Sequence, residues 1–157
     1  MALITFWRLA DNSDRKVKGH RVPAKFDLKE VKKLIQEFAA GARGKVFFSL
    51  PQASVQYVIK VFDANNMSDR EAERLIIQGL LQLTDSDFHR TIWHPHWRTL
   101  MDEYGLEAYK KHNWYIKFFI DDEGDGRFLS EVSFHPLETG MSLSNGRTLD
   151  VTYRPKG

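Results

Sequence analysis

The sequence predicts an α+β domain in which N-terminal helices pack on a C-terminal antiparallel sheet. Three segments with apolar residues at helical spacing lie in the first half of the chain, and segments of alternating apolar and polar residues lie in the second half. Helices followed by a meander of strands are typical of this class. An Asn-Gly pair between two alternating segments, at Asn145 and Gly146, adds a hairpin near the C-terminal end.

The first elements are a weakly alternating edge strand at residues 2–9 and a polar, basic loop at 11–25. Asp27 followed by Glu30 is a capping-box pattern and predicts the start of the first helix. The apolar residues that follow keep helical spacing, and this helix should end near Gly41.

Two more amphipathic helices follow a short connector or strand at residues 45–49. Pro51 lies near the start of the second helix, and Ser68 with Glu71 forms a capping box at the start of the third. Their apolar stripes are Val55, Val58, Ile59 and Phe62 in the second helix and Ile76, Leu80 and Leu83 in the third.

After residue 83 the sequence no longer shows the regular apolar stripe of the three helices. Residues 84–90 indicate a helical turn or a short helix, and residues 93–97 a loop that is dense in rings. Residues 98–109 are ambiguous, because their composition is helical but Gly105 breaks the pattern. Two histidines in the ring-rich loop could ligate a metal, but spacing places no acidic or Cys ligand with them. We therefore expect no metal site.

Two segments predict an antiparallel hairpin in the second half. Residues 114–120 are aromatic and β-branched, and residues 128–134 alternate after an acidic turn at 121–126. Residues 144–147 (Ser-Asn-Gly-Arg) predict another hairpin with a two-residue turn of the primed type. Both central residues of such a turn have positive φ, and Leu143 and Leu149 on the flanking strands should extend the sheet.

Composition fits one folded domain over residues 1–157 and excludes several protein classes. The hydrophobic fraction of 42% is enough for a core, and the absence of cysteine excludes disulfide scaffolds and Cys-ligated zinc. The apolar runs are far shorter than the roughly 20 residues of a membrane span, and the first residues lack the apolar length of a secretory signal. We therefore expect a cytoplasmic location and no membrane partner.

Charge is uneven along the chain, although the formal net charge is only +2. Residues 1–45 hold 11 Lys and Arg against 5 Asp and Glu, whereas the rest hold 12 against 16. The small total excludes a polycation that coats nucleic acid by charge alone. The basic block is either a solvated helix face with a basic loop, or an edge that contacts phosphates or an acidic partner.

The candidate chemistry lies near the predicted strands. Tyr115 and Lys117 share one strand face because side chains alternate with a period of two, and His135 ends the returning strand. Histidine can carry a proton at neutral pH, lysine can stabilise a phosphorane-like charge, and tyrosine can donate a hydrogen bond. This set suits metal-free RNA cleavage in which the 2′-hydroxyl attacks its own phosphate. A surface or core role is the alternative for each residue.

Four pieces of the sequence, in order, resemble the motility quorum-sensing regulator (MqsR) family of type II toxins, which are RelE-like messenger-RNA endoribonucleases. The pieces are residues 26–35 (Phe-Asp-Leu-Lys-Glu-Val-Lys-Lys-Leu-Ile), 83–90 (Leu-Thr-Asp-Ser-Asp-Phe-His-Arg), 114–118 (Trp-Tyr-Ile-Lys-Phe) and 132–135 (Val-Ser-Phe-His). Order and rough spacing are kept from about residue 25 to 138. Residues 1–24 and the apparent hairpin at 139–157 are additions to this core.

The resemblance implies a RelE-like fold and cleavage of mRNA that leaves a 2′,3′-cyclic phosphate, inhibits translation and needs neither metal nor cofactor. It also implies a cognate antitoxin protein as partner. The implied catalytic residues are Arg90, Tyr115, Lys117 and His135. His135 would carry the proton, Arg90 and Lys117 would stabilise phosphate charge, and Tyr115 would orient the phosphate or the 2′-hydroxyl.

The RNA backbone would be docked by Lys110, Lys111 and His112. The sequence departs from the family pattern at Met101, which stands where the family has Gln before an Asp-Val-Tyr triplet, and a thioether cannot make an amide's hydrogen bonds.

Two other functions stay open. One is a non-catalytic RNA- or protein-binding module that retains the toxin fold, and the other is a ligand- or protein-binding module that uses the Trp-rich loop.

Overall fold

The protein is described by a computed structural model that covers residues 6–7, 16–17, 24–40, 46–48, 51–62, 67–96, 98–121 and 127–154. Its helices are α1 (Leu28–Ala39), α2 (Gln52–Phe62) and α3 (Asp69–Leu81). Its strands are β1 (Phe6–Trp7), β2 (Lys16–Val17), β3 (Val46–Phe48), β4 (Phe88–His94), β5 (Thr99–Tyr109), β6 (His112–Asp121), β7 (Arg127–Pro136), β8 (Met141–Ser142) and β9 (Thr148–Leu149). The helices precede the four long strands, so the predicted α+β class is confirmed.

The main sheet has five strands in the order β3-β7-β6-β5-β4. Strands β4 to β7 form an antiparallel meander, as predicted. Strand β3 joins the edge of β7 in parallel. Parallel neighbours need a long connection, and here α2, α3 and three strands lie between the paired strands. None of the described helices is long and apolar enough to cross a bilayer.

The three helices cover one face of this sheet, and the core lies between them. The predicted caps are present: the Asp27 side chain accepts a hydrogen bond from the Lys29 amide, and Ser68 accepts one from the Glu71 amide. The core residues that are nearly or fully buried include Val31, Ile35, Ile76, Leu80, Trp114, Ile116, Phe118 and Phe134. Burial of each large side chain stabilises the fold by about 1.5–3 kcal/mol.

The helical turn predicted within residues 84–90 is present as a 3₁₀ turn at Asp85–Asp87, but β4 already begins at Phe88 and extends into the predicted ring-rich loop as far as His94. The ambiguous segment 98–109, which has helical composition, forms strand β5. Strand β5 is a central strand that is covered on both faces over most of its length, so its buried residues do not alternate with polar ones. Gly105 does not break it. A Cβ atom there would lie 2.7 Å from Met141 Sδ, so the C-terminal hairpin packs directly on this glycine.

The C-terminal hairpin forms, but its predicted turn type is wrong. The Leu143 amide donates to the Arg147 carbonyl and the Gly146 amide to the Leu143 carbonyl, which closes a three-residue loop. Gly146 has φ +90°, whereas Asn145 keeps negative φ and its side-chain oxygen accepts from the Arg147 amide. This local bond satisfies Asn145 without a left-handed backbone.

Leu143 and Leu149 do not extend the main sheet. Strands β8 and β9 form a separate two-stranded sheet, and both leucines are buried in a small second core with Leu137 and Met141. The hairpin therefore lies against the sheet face that the helices leave uncovered.

At the N-terminal end, β1 pairs with β2 inside the segment predicted to be a loop, and β3 is the predicted short strand at 45–49. The expected helix end at Gly41, most of the turn at 121–126, and Trp97 lie outside the described residues.

Candidate active site

A row of polar side chains crosses four adjacent strands on the sheet face opposite the helices. The strand register pairs Arg90 with Glu103, Glu103 with Lys117, and Lys117 with Ser133. Neighbouring residues along these strands, such as Ile116, point into the helix-covered core. Alternation along each strand therefore places basic, acidic and basic side chains side by side on the other face.

All four predicted catalytic residues line one cavity of about 310 Å³ on this face. They are Arg90, Tyr115, Lys117 and His135. The segment from Leu137 to Met141, which leads into the C-terminal hairpin, forms its opposite wall. The expected convergence of the histidine, tyrosine and lysine on one cleft is thus confirmed as geometry.

Glu103 is the central acceptor of the cavity. Its side chain is only 4% exposed, and one carboxylate oxygen accepts from Arg90 Nε at 2.5 Å. Its other oxygen accepts a short hydrogen bond from the Tyr115 hydroxyl. Glu103 therefore fixes the positions of both residues. The Arg90 contact uses Nε, which leaves the two Nη groups to bind an anion.

The sequence does not point to Glu103, because the helical composition of residues 98–109 and the break at Gly105 leave their secondary structure ambiguous. Had they been interpreted as a strand, the period of two would have placed Glu103 on one face with Met101 and Gly105. Met101, at the position of the family's Gln, is fully buried opposite Ile92 and does not line the described cavity. The polar group that β5 contributes to the cavity is the carboxylate two residues further on.

Tyr115 keeps its proton in this setting. Burial raises the pKa of its hydroxyl well above the ordinary range, and the charge and hydrogen bond of Glu103 raise it further. The hydroxyl is thus a permanent hydrogen-bond donor rather than an acid or a base.

His135 has a fixed ring position and a defined tautomer. Its ring stacks on Tyr115 with 4.8 Å between centroids, and Tyr57 of α2 lies 5.4 Å away on a tilted plane. Its Nδ1 lies 2.7 Å from the Pro136 carbonyl oxygen. A carbonyl only accepts, so Nδ1 carries the hydrogen and Nε2 is the nitrogen that can exchange a proton.

His89 is a second histidine that lines the cavity. Its Nδ1 lies 2.5 Å from the Ser142 carbonyl oxygen, a contact that ties β4 to the C-terminal hairpin. Burial lowers the pKa of this imidazole below its ordinary value, and the bond to Ser142 opposes that shift only in part. The neutral ring is therefore favoured at neutral pH.

The three residues expected to dock RNA do not line this cavity. Lys110 and Lys111 form the tight turn between β5 and β6, with φ of 49° and 72°, and are exposed. His112 follows them, and its ring meets Tyr153 edge-on at 5.4 Å. The RNA-docking role of these residues stays a prediction.

The histidines of the ring-rich segment are close together, with 6.4 Å between the ring centroids of His94 and His96. Across the described part of the chain, no group of three or more His, Asp or Glu side chains is placed to hold a metal ion.

Comparisons of the chain with models of protein families, with curated proteins and with solved structures found no significant match. The geometry of the cavity and the resemblance of the four sequence pieces are therefore the two grounds on which a function can be proposed.

Proposed function

We propose that this protein is a metal-independent endoribonuclease with a RelE-like fold, and that it acts as the toxin of a type II toxin–antitoxin system. The observation that carries the proposal is the convergence of Arg90, Tyr115, Lys117 and His135 on one cavity. These are the residues that the resemblance to MqsR toxins marks for catalysis. They come from three different strands, β4, β6 and β7.

The cavity supplies the groups that RNA transesterification needs. Nε2 of His135 takes the proton of the 2′-hydroxyl while the 2′-oxygen bonds to phosphorus. The bond from phosphorus to the 5′-oxygen breaks, and water protonates the departing oxygen. Arg90 and Lys117 stabilise the negative charge that grows on the phosphate oxygens. The products are a 2′,3′-cyclic phosphate and a 5′-hydroxyl.

Glu103 acts through its neighbours in this mechanism. It holds the Arg90 guanidinium by Nε and the Tyr115 hydroxyl by its second oxygen. The Arg90 guanidinium is thereby oriented before substrate binds, which lowers the reorganisation that the reaction requires. Because the single hydroxyl hydrogen of Tyr115 is donated to Glu103, the phenol oxygen is left to accept a hydrogen bond from the 2′-hydroxyl. We assign Glu103 as a positioning residue.

The direct test is to incubate the purified protein with a defined RNA in EDTA and to identify the new ends by mass spectrometry. We expect cleavage with a 2′,3′-cyclic phosphate end, and no cleavage of DNA of the same sequence, because DNA lacks the 2′-hydroxyl. Tight RNA binding without cleavage would instead support the non-catalytic module that retains the fold. If the protein neither binds nor cleaves the RNA, the endoribonuclease and the RNA-binding module are both rejected.

The toxin role has a separate test in cells. Expression of the wild-type chain without an antitoxin should halt growth, and His135→Ala should relieve the arrest. A folding check on the purified variant is needed, because an unfolded protein is also harmless. Growth at high wild-type expression would contradict the toxin role while leaving the cleavage assay to decide the chemistry.

A further inference from the structure

A second, larger cavity of about 620 Å³ lies beside the candidate active site. It is built from α2, the end of β7 and the C-terminal segment 151–154. Leu137 and Glu138 line both cavities, so the two share a wall. Tyr57, which lines the second cavity, also contacts the ring of His135. The two cavities therefore adjoin at the proposed proton carrier.

The side chains of this second cavity combine aromatic rings with cations. Tyr57 is 40% exposed. Among the residues whose burial is described, it is the large hydrophobic side chain that stands out as exposed to solvent. Tyr153 faces the same cavity and is supported edge-on by His112. Lys60 and Arg154 are exposed and contribute two positive charges, against one from the Glu138 carboxylate.

Rings next to cations suit a single-stranded nucleic acid. Every base can stack on an aromatic face, and a neighbouring cation can bind the backbone phosphate. A carboxylate can accept from the amino groups of bases. An RNA strand with one phosphate at His135 must continue beyond the first cavity, and the second cavity adjoins the first at Leu137 and Glu138.

We propose that the second cavity is a nucleotide subsite for single-stranded RNA, adjacent to the scissile phosphate. A base stacks on Tyr57 or Tyr153, and Lys60 and Arg154 hold the neighbouring phosphate. The substrate class rests on the proposed function, while the subsite itself is built by residues 151–154 and α2. Residues 151–154 belong to the C-terminal addition, outside the part of the chain that resembles the MqsR core.

The test compares a dinucleotide, which fills only the active-site cavity, with a hexanucleotide, which reaches the subsite. Tyr57→Ala should lower kcat/KM for the hexanucleotide about tenfold more than for the dinucleotide, with the additional loss mainly in KM. The dinucleotide reports the part of the effect that comes from losing the contact between Tyr57 and the His135 ring. Tyr57→Phe keeps the ring and should restore wild-type behaviour. Lys60→Ala should reduce the salt dependence of hexanucleotide binding by about one phosphate contact, whereas Lys29→Ala, an exposed lysine on α1, should not.

The outcomes separate the subsite from the proposed catalysis. If the variants weaken both substrates equally, or neither, the subsite is overturned while cleavage stands. If the wild type cleaves nothing, the proposed function fails, and the subsite is then judged by fluorescence anisotropy with the labelled hexanucleotide. Binding that depends on Tyr57 and Lys60 would support it. Hexanucleotide binding that is indifferent to both residues, or binding of labelled hexaglutamate where the labelled hexanucleotide does not bind, would overturn it.

Discussion

The imidazole of His135 lies flat against the phenol of Tyr115, with 4.8 Å between ring centroids and 20° between ring planes. The strand register makes these residues direct partners across β6 and β7. The tyrosine is held in turn by Glu103. The stack therefore fixes the plane of the histidine, and the Pro136 carbonyl fixes its tautomer. Both constraints leave Nε2 as the nitrogen that can exchange a proton.

Removal of that ring should remove most of the activity. We expect His135→Ala to lower the cleavage rate about 10²–10⁴-fold, because a positioned proton carrier contributes a factor of that size. Single-turnover cleavage of a defined RNA measures the effect. His96→Ala, in the exposed turn after β4, is the matched control and should keep the wild-type rate. Equal rates for His135→Ala and wild type would rule out His135 as the proton carrier.

The Tyr115 pKa should respond to the carboxylate beside it. Glu103→Gln removes a negative charge and a strong acceptor, so the Tyr115 pKa should fall, yet stay above its ordinary value of 10.0 because burial remains the largest cause of the shift. NMR titration of tyrosine ring carbons measures it, with Tyr115→Phe to assign the signal. An unchanged Tyr115 pKa would contradict the hydrogen bond that the structure shows.

Asp102 should be important for stability rather than for chemistry. It is fully buried on the helix side of β5 and accepts from the Lys25 and Phe26 amides and from the Thr91 hydroxyl. We expect Asp102→Ala to lower the free energy of unfolding by about 3 kcal/mol, because these donors lose a charged acceptor. Urea denaturation measures this. Asp150→Ala, at an exposed carboxylate, should change stability by less than about 0.5 kcal/mol.

His89 predicts how stability depends on pH. Its folded-state pKa lies below the ordinary value of 6.5, so the unfolded chain binds the proton more readily. The contribution of His89 to the free energy of unfolding is complete above pH 6.5 and is lost as pH falls through the folded-state pKa. Thermal melts of wild type and His89→Asn measure it, since Asn can still donate to the Ser142 carbonyl. The wild type should lose more Tm on acidification than the variant, and parallel curves would contradict the shift.

The sequence predicted the helices well, because caps such as Asp27 and Ser68 and a one-sided apolar stripe are local signals. It failed at β5, where burial on both faces erases the alternation that marks a strand. That one error concealed Glu103, whose role depends on its neighbours across the sheet. Tyr115 and His135 could be predicted because they lie on strands with clear alternation and a short connection.

Gly105 also sets the height at which the C-terminal hairpin sits above the sheet. A methyl group there would meet Met141 Sδ at 2.7 Å and Leu149 Cδ1 at 2.9 Å, so the hairpin rests on bare backbone. Met141 also lines the candidate active site. The absence of a Cβ atom at position 105 thus sets the distance between the sheet and the hairpin, and with it the width of the cleft. Larger residues at position 105 should push the hairpin away from the sheet and widen the cleft at Met141, beside Tyr115, the cross-strand partner of Gly105.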